Sequence, residues 1–241
     1  YDLEDAYMSV HEALKHAGIQ RGVEVEVTWV DADEMDEHHA DRLESADGVV
    51  VPGGFGSRGS EGKIEAVRYA RENDVPFLGL CLGFQMAVIE HARNVVGLDG
   101  ADSTEINDDT PHPVIDLLPE QYETEEMGGT MRLGTHETDI DEGTLAAAVY
   151  GDTSCTERHR HRYEVNPEYI PQLEDDGLTF SGHADNRMEI VERADHPYFI
   201  GTQFHPEFRS RPDRASPPFV GLLDAILDEQ DETAEGTEVS A

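Results

Sequence analysis

Residues 77–85 read FLGLCLGFQ, and within them Gly79, Cys81 and Gly83 form a G-x-C-x-G pattern between an apolar run and a helix-like stretch. This is the layout of a nucleophile elbow, in which glycines permit a tight turn that lifts a side chain above the end of a sheet. A thiol at a helix N-terminus feels the positive end of the helix dipole, which favours the thiolate. The N–H of Leu82 is placed to donate to an oxyanion formed at that sulfur. Taken alone, the pattern fits a small buried thiol equally well.

A cysteine nucleophile needs a base, and with 12 histidines in the chain a histidine by itself means little. GTQFHPEF is more specific, since His205 and Glu207 follow an apolar strand two residues apart. Side chains at i and i+2 of a strand share one face, so the carboxylate is expected to orient the imidazole and stabilise its charge. His159 and His161 also alternate, but between arginines that oppose an imidazolium, and read as structural. In VVVPGGFGSRGSEG, Gly53 and Gly54 end a buried strand, where either N–H could serve as a second oxyanion donor. The same stretch is not a phosphate loop, because Ser57 replaces its first glycine and Ile64 its Ser/Thr. His38 and His39 sit in an acidic stretch without convincing partners, so no metal site is expected.

The elements that must position these residues alternate between two periodicities. Leu3, Tyr7, Val10 and Leu14 recur at helical spacing, and Gly18 is expected to cap that helix. VEVEVTWV alternates as a strand, GVVVPGG and VPFLGL read as buried strands, and KIEAVRYARE and LGFQMAVIEHARNVV as helices. Residues 99–128 are polar and proline-bearing and read as a long loop. Further strands are expected in GTMRLGTHETDI, HRHRYEVN, LTFSGHA, RMEIVER and YFIGTQFHPEF, then a helix near PPFVGLLDAILDE. The fold class is α/β, a doubly wound mixed or parallel sheet flanked by helices. Such a domain ordinarily opens on a strand, so a first strand is expected upstream of Tyr1. Residues 1–228 form the expected domain and 229–241 an acidic disordered tail.

Seventeen basic residues against 53 acidic ones give a net charge of −36. Such a field repels phosphate backbones, which argues against a nucleic-acid partner. Acidic residues spread over the whole chain, with Lys15 and Lys63 the sole lysines, fit a surface adapted to high salt. The domain is therefore expected to loosen at low ionic strength. No apolar run reaches the ~20 residues that span a bilayer, so no membrane partner is expected. Two cysteines suit reduced thiols in the cytoplasm better than a disulfide scaffold.

A glycine turn, an elbow cysteine and His-x-Glu occur in the order PGG, GLCLG, HPE, which resembles the class I (triad) glutamine amidotransferases. PGGFGSRGSEGKIEAVRYAREN, GLDGADSTE, ERHRHRYEVN and FIGTQFHPEFRSRP are similar to the glutaminase domains of the CTP synthases, and the likeness runs from residue 1 to about 228. The resemblance implies a flavodoxin-like architecture and L-glutamine as substrate. It implies Cys81 as nucleophile, His205 as acid and base, Glu207 as its orienter, and Gly53 or Gly54 with Leu82 as oxyanion hole. Gly54, Phe55, Leu82, Gln85, Glu105 and Arg162 would contact glutamine, with Glu105 on the α-ammonium and Arg162 on the α-carboxylate. It also implies an N-terminal amidoligase domain that uses ATP and Mg²⁺ to aminate UTP, activation by GTP, and a homotetramer. No cofactor is expected in this chain itself. A triad amidotransferase for another acceptor, or a silent regulatory module, are the competing readings, and Cys155 is expected to be inert.

Overall fold

The computed structural model of the chain describes residues 4–34, 43–118 and 131–238. Its larger sheet has seven strands, ordered β1-β2-β10-β9-β8-β5-β6 in chain numbering. β1 (Val49–Val51), β2 (Phe77–Leu80) and β10 (Phe199–Thr202) are parallel. β9 (Arg187–Glu192), β8 (Thr179–Ala184), β5 (Arg132–Ile140) and β6 (Ser154–His161) continue the sheet antiparallel. The parallel strands are apolar except for Thr202 at the end of β10, because both of their faces are covered. Phe77 and Phe199 stack at 4.5 Å on one face, while Leu78 and Ile200 enter a second core on the other.

On the first face lie α2 (Ser60–Glu72) and α3 (Leu82–Asn94); α1 (Met8–Arg21) and α6 (Pro217–Glu238) pack on the second. Residues 99–128 were expected to be loop, yet they supply β3 (Ala101–Ser103) and β4 (His112–Asp116), which build a small sheet with β7 (Glu164–Val165). Strands of three and five residues, carrying Asp102 and Pro113, show no alternation to read. Residues 119–128 lie outside the described residues. α3 packs against β1, β2 and β10 on one side and β3, β4 and β7 on the other. That position explains why every residue from Leu82 to Ala92 is buried, and why Glu90 is matched by Arg71 at 2.8 Å.

Other expectations need correction. α1 runs past Gly18 and ends on Gly22 in the left-handed region at φ 72°. Gly18 serves packing instead, since a Cβ there would lie 2.8 Å from the Val23 carbonyl oxygen. VEVEVTWV joins no ladder among the described residues; Val25 and Val27 still pack on the core while Glu24 and Glu26 are exposed. HRHRYEVN is two strands, β6 and β7, parted at Arg162 and Tyr163. Two short helices, α4 (Leu145–Tyr150) and α5 (Ile170–Asp175), left no readable pattern. The buried Glu192 carboxylate accepts the Leu145 and Ala146 N–H groups at 2.8 and 2.9 Å and the Ser181 hydroxyl at 2.8 Å, holding α4 by its N-terminus. α6 carries its helix through Glu238, into the stretch expected as an acidic tail.

Candidate active site

Cys81 stands between β2 and α3 with φ 52° and ψ −98°, a strained conformation for a residue with a Cβ. Its N–H is anchored on the Thr202 carbonyl of β10 at 2.7 Å. The two flanking glycines make room for this bend. A Cβ on Gly79 would meet the Gly83 carbonyl at 2.8 Å, and one on Gly83 would stand 2.0 Å from the Val51 oxygen. The chain thus turns where strand and helix are in backbone contact, and only glycine fits there. Leu82 is the first helical residue, so its N–H is one that the helix itself leaves unused.

His205 and Glu207 meet as expected, but by another device. β10 ends at Thr202, and a 3₁₀ turn, Pro206–Arg209, folds Glu207 back beneath the imidazole. His205 Nδ1 donates to Glu207 Oε1 at 2.7 Å. Burial by itself would lower the His205 pKa; hydrogen bonds to Cys81 and to Glu207, with their charges, raise it to about 10. Phe208 stacks on the imidazole with ring centroids 5.2 Å apart, and the His205 N–H donates to the Arg158 carbonyl at 2.8 Å. Gly53 lies against this pair: a Cβ on it would be 2.8 Å from His205 Cε1 and 3.4 Å from Cys81 Cβ. One on Gly54 would be 3.3 Å from the Leu82 side chain, so the glycine turn and the start of α3 face each other across the sulfur.

In front of Cys81 opens a cavity of 150 Å³ lined by Gly54, Phe55, Gln85, Glu105, Met131, His161, Arg162 and Tyr163. Glu105 follows β3, and its carboxylate accepts the Gly56 N–H at 3.1 Å. Burial raises its pKa, opposed by that hydrogen bond and by the charge of Arg162. An acid and a guanidinium on one small cavity suit a zwitterion, one charge for each end. Phe55 is 44% exposed at the rim, with the Arg160 guanidinium 5.4 Å above its ring. Of the residues singled out in the sequence, Gly54, Phe55, Cys81, Gln85, Glu105 and Arg162 border this one cavity, while Gly53 lies against His205 and Cys81 beside it. Met131 and Tyr163 were missed because their side of the cavity is set by the break between β6 and β7. Gln203 was also missed, although it stands within GTQFHPEF.

His159 and His161 point inward from β6, with Cys155 and Glu157 on the same face. His159, His161 and Glu189 offer ligand atoms within 4.8 Å of one another. His159 Nδ1 and His161 Nε2 are already hydrogen-bonded to each other at 3.0 Å, and Arg132 pairs with Glu189. Arg187 lies 3.2 Å from Glu164 beside them. The two arginines balance the two carboxylates, so a dication would add uncompensated buried charge. His38 and His39 lie outside the described residues.

Residues 2–225 match the family Glutamine amidotransferase class-I. The chain is 73% identical over 242 residues to a CTP synthase of Haloarcula hispanica and 72% identical over 235 residues to one of Natronomonas pharaonis. It covers 100% and 98% of itself in these alignments but 44% and 43% of those relatives, so it spans under half of their length. Among solved structures, the acivicin-bound glutaminase domain of Trypanosoma brucei CTPS superposes with a TM-score of 0.87 at 37% identity, covering 93% of this chain and 89% of that one. The chain belongs to the class-I glutamine amidotransferases, among the glutaminase domains of CTP synthases.

Proposed function

We propose that this domain hydrolyses L-glutamine through a Cys81 thioester. The observation that carries the reading is the strained elbow that sets the Cys81 sulfur between the raised-pKa imidazole of His205 and a cavity with opposite charges at Glu105 and Arg162. Glutamine lies with its α-ammonium on Glu105 and its α-carboxylate on Arg162, which directs the side-chain amide to Cys81. Gly54, Phe55 and Gln85 complete the wall. The thiolate attacks the amide carbon, and the carbonyl electron pair moves onto oxygen. The N–H of Leu82, with that of Gly53 or Gly54, stabilises the oxyanion. His205 gives its proton to the departing nitrogen, so the C–N bond breaks as ammonia leaves and the thioester forms. It then takes a proton from water as that water attacks, and returns it to sulfur when glutamate departs. Glu207 holds the ring and its charge throughout.

The length of the relatives supports a wider assignment. Ammonia passes to an N-terminal amidoligase domain that holds ATP and Mg²⁺ and converts UTP to CTP, in a cytoplasmic homotetramer activated by GTP. No helix among the described residues is long and apolar enough to cross a membrane. Ammonia release from glutamine, measured on wild type and Cys81→Ala with the ligase domain and GTP supplied, tests the reading. Cys81→Ala should lower the rate by at least about 10³-fold. Equal rates in the two proteins would sink it.

A further inference from the structure

We infer that Gln203 is a second polar partner of the nucleophile: its side-chain amide donates an N–H to the Cys81 sulfur and holds the thiolate toward the cavity. The inference rests on the reading of Cys81 as nucleophile. Gln203 follows β10 by one residue and precedes His205 by two, with a fully buried side chain. Its Nε2 lies 3.9 Å from Cys81 Sγ. Which end of the amide faces sulfur follows from a chain of obligations. The Tyr163 backbone carbonyl can only accept, so Gln85 must present its NH₂ group there, at 3.2 Å. The second N–H of that group meets Gln203 at 3.3 Å, which must answer with its carbonyl oxygen. The Gln203 NH₂ is thereby turned to the sulfur. The Gln203 backbone is fixed as well, its N–H donating to the Glu189 carbonyl at 2.8 Å.

The other groups on the sulfur make this donor useful. Cys81 Sγ is 3.9 Å from the Arg160 carbonyl oxygen, which can accept from a thiol but repels a thiolate. His205 bonds the sulfur from elsewhere and must leave it to protonate the departing ammonia. Gln203 has no proton to transfer and stays in place through both half-reactions. Because Gln85 and Tyr163 line the cavity, the same amide chain ties the cavity wall to the nucleophile.

Two variants of the full chain test this. Gln203→Glu keeps the shape and the acceptor for Gln85 but sets a carboxylate oxygen against sulfur; Gln203→Met removes the donor. The readouts are the rate of Cys81 alkylation by chloroacetamide against pH, and kcat and KM for glutamine. The midpoint of the alkylation profile should rise by about one pH unit, the size of one lost hydrogen bond to a charged group. kcat should fall about tenfold or more, with KM within about threefold. The effect should be larger in Gln203→Glu, which differs by one heavy atom and does not depend on the methionine variant's folding. A wild-type alkylation profile in Gln203→Glu, or a raised KM with kcat kept, overturns the inference. If wild-type Cys81 itself neither alkylates nor supports ammonia release, the nucleophile reading fails first.

Discussion

The molecule holds two sets of cysteine, histidine and glutamate side chains, both largely buried, that come from different parts of the larger sheet. One is Cys81, His205 and Glu207, gathered from the elbow after β2 and the 3₁₀ turn after β10. The other is Cys155, Glu157, His159 and His161, successive inward positions of the single strand β6. In the second set, desolvation drives each group toward its neutral form. The Cys155 thiol is pushed up to about 12 and the Glu157 carboxyl to about 7, while His159 and His161 are held down at about 2 and 3. In the first set desolvation acts on His205 too, but two opposing partners outweigh it and the imidazole keeps its proton to about 10. Residue type and burial are alike in the two places. What differs is the balance of neighbouring charge: carboxylates also lie 3.5 Å from His159 and His161, but Arg132 opposes both imidazolium forms, whereas His205 meets Cys81 and Glu207.

The sharpest way to break this comparison is to make one change in both places. His205→Asn should cost about 10³-fold or more in ammonia release. His159→Asn should instead keep kcat within a small factor while the fold weakens, because His159 packs against Phe204 and His161 and is not itself part of the cavity lining. If His159→Asn lost as much activity as His205→Asn, the division into a working and a supporting set would be wrong. A smaller effect is expected from Arg132→Met, which strips the guanidinium from the buried Glu189. Leaving one member of a buried pair unmatched costs about 3–5 kcal/mol, so the denaturant midpoint should fall with the slope unchanged. An unshifted midpoint would mean that the pair contributes nothing.

How much of this was readable follows the same contrast. Cys81 was legible because the elbow is local: glycines at ±2 and a helix start give one segment a shape. The parallel strands were legible because full burial leaves an unbroken apolar run. His-x-Glu was found for a reason that proved incomplete, since a strand pleat was expected and a 3₁₀ turn does the work. The partners that set the charges were invisible. Arg132 lies 57 residues from Glu189, and Gln203 lies 122 from Cys81. Only the antiparallel register of β5 and β6, which places Arg132 opposite His161, brings the arginine to the histidines. The small sheet escaped because strands that short are defined by pairing and not by their own pattern. The acidic surface was readable from composition alone, and the relatives from Haloarcula and Natronomonas agree with its high-salt reading.

The smallest effect is the pH dependence of stability, and it separates the two sets by sign. His205 is raised from 6.5 to about 10, so its contribution is complete below pH 6.5 and is lost as pH climbs toward 10. His159 and His161 are lowered from 6.5, so theirs is complete above pH 6.5 and is lost as pH falls toward 3. Glu157 and Glu164 are raised from 4.5 to about 7 and about 8, which favours the fold below pH 4.5 and withdraws that support as pH rises to those values. Between pH 4.5 and 6.5 the glutamates lose as pH rises while the β6 histidines gain, and the two slopes oppose each other. Stability should therefore be nearly flat from about pH 4.5 to 6.5 and fall on either side. Unfolding midpoints followed by circular dichroism at constant high salt would show it, each 1 kcal/mol appearing as about 2–4 °C. His205→Asn should flatten the limb beyond the Glu164 value of about 8 and up to about 10, and His159→Asn should soften the limb below pH 4.5. An alkaline limb that survives His205→Asn unchanged would mean that the imidazole of the elbow site is as neutral as those of β6.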